Sequence, residues 1–231
     1  TAQPLNALPV EDLLPPLHHQ EVWAAGVTYI RSRTARMEES SGAGGSDFYD
    51  NVYHAERPEL FFKATPHRVR GHGQPLHLRG DSRWIVPEPE CTLAVNAQGR
   101  LIGYTCGNDL SCRDIEAENP LYLPQAKVFE ACAGLGPGLY LPAAPLPPES
   151  AITLTIRRGG EPVFTGEIQI NAMKQTYANL VAYLMRENCF PAGAYLMTGT
   201  GIVPPDDFSL QPGDEAEIAI GQVGTLRNTF T

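Results

Sequence analysis

The 22 glycines and 21 prolines spread through this 231-residue chain constrain its fold more than any other feature. Proline removes a backbone donor and both residues interrupt helices, so turn-rich β structure is favoured over a helical bundle. Charged residues make up only 19% of the chain, which points the same way. The length suits a single domain with a full core. A net charge of −9 argues against nucleic acid or an anionic membrane as partner, since both need a basic face. Neither an apolar run long enough to span a bilayer nor a signal-peptide pattern is present. Five cysteines, an odd number without paired spacing, read as reduced thiols of a cytoplasmic protein. Cys106 and Cys112, in C-x5-C spacing, lack the second pair that a zinc site needs.

Residues 1–20 are rich in proline and leucine and read as a lead-in, with the main domain over 21–231. Residues 21–33, EVWAAGVTYIRSR, read as the first strand. A short helix could begin at Thr34, residues 40–46 are Gly/Ser-rich and expected to be mobile, and residues 47–56 have helical spacing. Together residues 34–56 form a candidate lid. Further strands are expected at residues 60–63, 152–157 and 162–170, with 66–83 loop-like and a final strand over 215–220 after the Gln211–Asp214 turn. The best helix is 173–187, where Tyr177, Leu180, Val181, Leu184 and Met185 share one face and are read as core. A mixed or mostly antiparallel sheet folded on itself, with few helices, follows from this pattern.

The stretch from Trp84 to Asp114 carries the chemistry. Residues 91–96 and 101–106 are strand-like around an Ala97-Gln98-Gly99 turn, hence a hairpin. Side chains alternate along a strand, so Glu88 and Glu90 point to the same side with Cβ atoms roughly 6.5 Å apart. An antiparallel return brings Asp109 back beside them. An E-x-E pair at a strand edge is usually only a solvated face. Three converging carboxylates instead suit a hard divalent cation, Mg²⁺ before Mn²⁺ or Ca²⁺.

The sequence after Asp109 gives this pattern an identity. Glu88-x-Glu90, then Gly103-Tyr104, Asn108-Asp109, Ser111, Arg113-Asp114, Lys127 and Leu135-Gly136-Pro137 resemble the signature of the fumarylacetoacetate hydrolase superfamily. Thr198-Gly199-Thr200-Gly201 looks like its late S-G-T-x-x-G element. The resemblance implies a mostly β (α+β) fold, a mixed β-roll with few helices. It also implies Mg²⁺ on Glu88, Glu90 and Asp109, and a homodimer or higher homo-oligomer. More narrowly, RPELFFKATPHRV at 57–69, WIVPEPE at 84–90 and RDIEAENPLYLPQAKVF at 113–129 look like the dehydratases of 2-keto-3-deoxy arabinonic and xylonic acids. That branch implies a lyase giving 2-oxoglutarate semialdehyde in pentose oxidation, with a small 2-keto acid as substrate.

A 2-keto acid offers a divalent ion its carboxylate and C2 carbonyl, and the ion stabilises the enolate formed when a C3 proton leaves. Loss of the C4 hydroxyl then needs a general acid. Lys127 is assigned to substrate binding or proton transfer, its pKa lowered by burial and the metal, and Glu59 to proton movement at C3 or C4. Arg113 either binds substrate or braces Asp109 and Asp114. Ser32, Arg33 and Thr200 are further substrate-contact candidates. The superfamily's hydrolases and decarboxylases use a His/Glu pair within N-Y-x-x-H-x-x-E, and the corresponding residues 28–35 here contain no histidine. A later phrase, D-F-Y-x-x-x-x-H-A at 47–55, makes His54 a candidate for that role. An acylpyruvate hydrolase or oxaloacetate decarboxylase is therefore the alternative enzyme, and a non-catalytic 2-keto acid binding protein the alternative of another class.

Overall fold

Residues 14–39 and 46–231 are described by a computed structural model. Its strands are β1 (Glu21–Gly26), β2 (Glu59–Ala64), β3 (Val69–Arg70), β4 (Ile85–Val86), β5 (Pro89–Val95), β6 (Leu101–Asp109), β7 (Ser111–Cys112), β8 (Ala133–Tyr140), β9 (Ala151–Arg158), β10 (Glu161–Gln169), β11 (Ala194–Met197), β12 (Glu215–Ile220) and β13 (Gly224–Thr229). The helices are α1 (Ile30–Glu39), α2 (Ser46–His54), α3 (Arg113–Glu118), α4 (Leu123–Lys127) and α5 (Tyr177–Met185). A seven-stranded mixed sheet runs β2-β1-β11-β5-β6-β8-β3, a four-stranded antiparallel sheet runs β10-β9-β12-β13, and β4 pairs with β7. The fold is mostly β with few helices, as the glycine and proline content demands.

Alternation decides which faces meet. In β9, Ile152, Leu154 and Ile156 are buried while their neighbours are half-exposed, and in β12 Ala216, Ile218 and Ile220 repeat the pattern. The β9 face packs against β5 and the β12 face against β6, in one core with Leu93, Cys106 and Leu135. Each such leucine or isoleucine contributes about 1.5–3 kcal/mol of burial. The central strand β5 is buried at all seven positions, so its polar members must be satisfied inside the protein. Helix α5 packs Leu180, Val181 and Leu184 into the same core, and Thr176 caps it by accepting from the Asn179 N–H at 3.1 Å.

Two expectations are corrected. The first strand does not continue to Arg33: it ends at Gly26, Val27 takes a left-handed φ of 53°, and α1 begins at Ile30. The Thr28 hydroxyl turns the chain by donating to Thr198 O at 2.7 Å, and the Tyr29 carbonyl accepts from Ser32 Oγ and Arg33 N. Tertiary contacts thus override the β-branched run V-T-Y-I. The strand β12 is not the last, because β13 follows it and completes a hairpin, with Asn228 buried and donating to Gly71 O and Gln74 O. The glycine-rich β8 carries no strand signal, yet it is needed between β6 and β13: a Cβ on Gly134 would lie 2.5 Å from Asn228 Oδ1. Residues 40–45, the Gly/Ser stretch of the expected lid, and most of the 1–20 lead-in lie outside the described residues.

Candidate active site

The β5–β6 register brings the three carboxylates together. Glu90 lies opposite Gly107, Pro89 opposite Asn108, and the Asp109 N–H donates to Glu88 O at 3.0 Å. Glu88, Glu90 and Asp109 are buried, and each offers a carboxylate oxygen within 4.8 Å of the others. Behind Glu90, the Gly199 N–H donates to its Oε2 at 2.5 Å. Gly199 has φ +93°, and a Cβ there would lie 2.1 Å from Thr28 Oγ1, so this loop position requires glycine. The Thr198 hydroxyl donates to Cys91 O at 2.8 Å, which locks the loop against β5.

Four cationic side chains surround the acids. Lys127, at the end of α4, donates to Glu88 Oε2 at 2.7 Å, Asp109 Oδ2 at 3.1 Å and Ser111 Oγ at 2.7 Å. Lys63 lies 2.6 Å from Asp109 Oδ1 and donates to the carbonyls of Leu110 and Lys127. Arg36 Nη2 and Arg113 Nη1 donate to Glu88 Oε1 at 2.6 and 3.0 Å. The two arginines also swap partners between helices: Arg36 of α1 pairs with Glu116 of α3 at 2.9 Å, and Arg113 of α3 pairs with Glu39 of α1 at 3.1 Å. Lys63, Arg36, Glu39 and Glu116 were not singled out from the sequence. A signal was present in two R-x-x-E spacings, Arg36–Glu39 and Arg113–Glu116, which place acid and base on one helical face.

A cavity of about 20 Å³, room for one water-sized guest, lies among Ser32, Glu59, Glu90, Asp109, Lys127 and Thr200. Glu59 reaches it from β2 only because residue 26 is glycine, since a Cβ there would lie 2.0 Å from Glu59 Oε2. Of the candidates read from the sequence, three lie elsewhere. Arg33 follows Ser32 on α1, so the helical turn points it away from the cavity to pair with Asp50. His54 ends α2 with its side chain 62% exposed, 3.6 Å from Asp50 and not among the cavity's lining. Arg113 does not line the cavity either. Its guanidinium is spent on Glu39 and Glu88, while Asp114 accepts instead from Ser82 Oγ and the Arg83 N–H. The Thr200 hydroxyl is also engaged, donating to Ile202 O at 3.2 Å.

The electrostatics follow from burial and packing of like charges. Burial opposes the Glu88 anion, but Lys127 and Arg36 outweigh it and hold its pKa at about 2. Burial, Asp109 and Glu88 push Glu90 well above the ordinary carboxylate range. Burial and Glu116 raise Glu59 to about 7, a value suited to giving and taking protons near neutrality. Burial alone would lower Lys127, yet Asp109 and Glu88 beside it raise it above the ordinary lysine range.

Two further observations fit a divalent cation. Six carboxylates (Glu39, Glu59, Glu88, Glu90, Asp109, Glu116) face four cationic groups, leaving a formal surplus of two negative charges. Asp109 Oδ1 is also buried without hydrogen-bonding geometry. An all-oxygen donor set with these features suits Mg²⁺.

Comparison with known proteins agrees. Residues 30–231 match the fumarylacetoacetate (FAA) hydrolase C-terminal family. The chain is 46% identical over 217 residues to a probable 2-keto-3-deoxyxylonate dehydratase of Haloferax volcanii, covering 94% of this chain and 74% of that protein. It is 43% identical over 213 residues to the 2-dehydro-3-deoxy-D-arabinonate dehydratase of Saccharolobus solfataricus, covering 91% and 72%. A solved 2-keto-3-deoxy-D-arabinonate dehydratase complexed with magnesium and 2,5-dioxopentanoate superposes with a TM-score of 0.87 at 37% identity, covering all of this chain and 82% of that one. With the carboxylate triad and the mixed sheet in place, the match over most of the sequence makes this chain a member of the fumarylacetoacetate hydrolase family.

Proposed function

We propose that this protein is a Mg²⁺-dependent hydro-lyase that removes water from a 2-keto-3-deoxy pentonic acid to give 2,5-dioxopentanoate, the semialdehyde of 2-oxoglutarate. The observation that carries the reading is the convergence of Glu88, Glu90 and Asp109 with Glu59 and Lys127 on one buried cavity. The similarity to arabinonate and xylonate dehydratases supports the substrate class.

Glu88, Glu90 and Asp109 would hold Mg²⁺, which would supply Lewis-acid stabilisation of negative charge on a 2-keto acid. Glu59, with its pKa near neutrality, takes the C3 proton. Lys127 donates to the developing enolate oxygen or to the departing C4 hydroxyl. Ser32 and Thr200 both line the cavity, which supports reading them as substrate contacts. Arg113 is a positioning residue that fixes Glu88 and ties α3 to α1. Residues 21–231 then act as one catalytic domain. The cysteines, four of five buried and all free, support a cytoplasmic setting, and the exposed apolar residues Ile102 and Leu141 of the sheet region support a homodimer. Among the described residues no helix is long and apolar enough to cross a membrane.

The test is incubation of the protein with Mg²⁺ and 2-keto-3-deoxy-arabinonate, 2-keto-3-deoxy-xylonate, acetylpyruvate and oxaloacetate, products being identified by mass spectrometry. Loss of water from a sugar acid supports the reading. Cleavage of acetylpyruvate or decarboxylation of oxaloacetate contradicts it. Ligand-dependent stabilisation without turnover favours a binding protein.

A further inference from the structure

A separate pocket of about 250 Å³ lies where β2 starts and α5 ends, and it shares no lining residue with the carboxylate cavity. Trp23, Leu60 and Leu184 give it apolar surface. The Trp23 ring is fixed there by edge contacts with Phe62 and Phe190, at 5.9 and 6.1 Å between ring centres. The charged side chains of the pocket are all of one sign. Arg57 and Arg186 both stack on the Tyr183 ring, with guanidinium carbons 5.1 and 4.1 Å from its centre. Among the described residues neither guanidinium is paired with a carboxylate. The polar groups around them are engaged: the Tyr183 hydroxyl donates to Glu56 Oε1 at 3.3 Å, and Asn188 Oδ1 accepts from the Cys189 N–H at 2.9 Å. What remains free is two guanidinium forks and the Asn188 amide NH₂, all of them donors. In a chain of net charge −9, two cations on one ring repel each other until an anion joins them.

We propose that this pocket is a second ligand site, which binds a short dicarboxylate through Arg57, Arg186 and the Asn188 amide, with the methylene spacer against Trp23 and Leu60. Each feature of the ligand answers a feature of the pocket. An arginine fork matches a carboxylate through two parallel hydrogen bonds, and two unpaired forks match two carboxylates. Both forks lie close to one ring centre, so a short molecule reaches both. The apolar surface beside them rewards a hydrocarbon spacer, which inorganic phosphate lacks. The carboxylate cavity has the opposite character, with a negative surplus that suits a cation, so the two sites take different ligands. The inference does not depend on which reaction that cavity performs.

Calorimetric titration of the Mg²⁺-loaded protein with glutarate at low ionic strength tests this, with butyrate and inorganic phosphate as comparisons. The expected result is one glutarate bound per chain, with butyrate and phosphate each weaker by about ten-fold or more. Arg57→Gln and Arg186→Gln should each weaken glutarate by about ten-fold or more, the scale of one lost charge-assisted hydrogen bond. Both side chains are exposed, so Tm should not change in either variant. Glu90→Gln, which alters the carboxylate cavity, should leave glutarate binding unchanged. Absence of glutarate binding overturns the inference, as does binding that survives in both arginine variants or is lost in Glu90→Gln. Phosphate binding tighter than glutarate, with the same dependence on the arginines, overturns the dicarboxylate assignment.

Discussion

Glu90 shows what a single residue costs and gives. It is held by one backbone N–H, crowded by Asp109 and Glu88, and pushed toward its neutral form until a cation arrives. Glu90→Gln keeps the shape and removes the charge, so Mg²⁺ binding measured by calorimetry should weaken by at least ten-fold while the fold persists. Gly26 offers a cleaner separation of activity from stability. Its missing Cβ makes room for the Glu59 carboxylate, which is the far end of a flexible side chain and can move aside cheaply. Gly26→Ala should therefore shift Tm little while lowering kcat by about 10²-fold or more, the usual scale of a displaced proton carrier. An unchanged kcat would remove Glu59 from proton transfer. His54→Ala should leave both constants unchanged, since its exposed ring stands apart from the cavity. At this scale the sequence was informative where strand alternation applies, as for Glu88, Glu90 and Asp109. It was silent on Lys63, whose role depends on a long-range contact with Asp109.

Among the elements, the β5–β6 hairpin and α5 were legible because each carries an undisturbed period, two for the strands and 3.6 for the helix. The α1 segment was not. Its β-branched beginning reads as strand, and only the Thr28–Thr198 contact and the left-handed Val27 turn it into a helix. That turn matters chemically, because it directs Ser32 and Arg36 inward and Arg33 outward. The clasp between α1 and α3 follows from it: Arg36 with Glu116 and Glu88, Arg113 with Glu39 and Glu88, nearly all buried. Removing one partner leaves buried charge without compensation, so Arg36→Ala should destabilise the protein by about 3–5 kcal/mol in urea unfolding. An effect below about 1 kcal/mol would mean the clasp is open in solution. Strand β8 remained hidden for a different reason: it is chosen for the absence of side chains where β13 crosses it, a requirement that no local pattern records.

The whole molecule stores unfavourable charge at its centre. Glu90 and Glu59 have folded pKa values above those of the unfolded chain, so the folded state holds protons that the unfolded state has released. The stability tied to those protons is present below the unfolded value of about 4.3 and is lost as pH rises through the folded values. Glu88 has the opposite sign, but its contribution is lost only as pH falls towards about 2, outside that range. The metal-free protein should therefore lose Tm between about pH 5 and about pH 8, and the gain on adding Mg²⁺ should be larger at the upper end. A Tm that rises over that interval would contradict the charge assignment. The measurement that tests the central claim most directly is water loss from 2-keto-3-deoxy-arabinonate across a Mg²⁺ titration, in wild type and Glu90→Gln, with an EDTA control. The account predicts turnover that follows Mg²⁺ occupancy in wild type, vanishes with EDTA and is absent in Glu90→Gln. Turnover that persists in EDTA or in Glu90→Gln would contradict it.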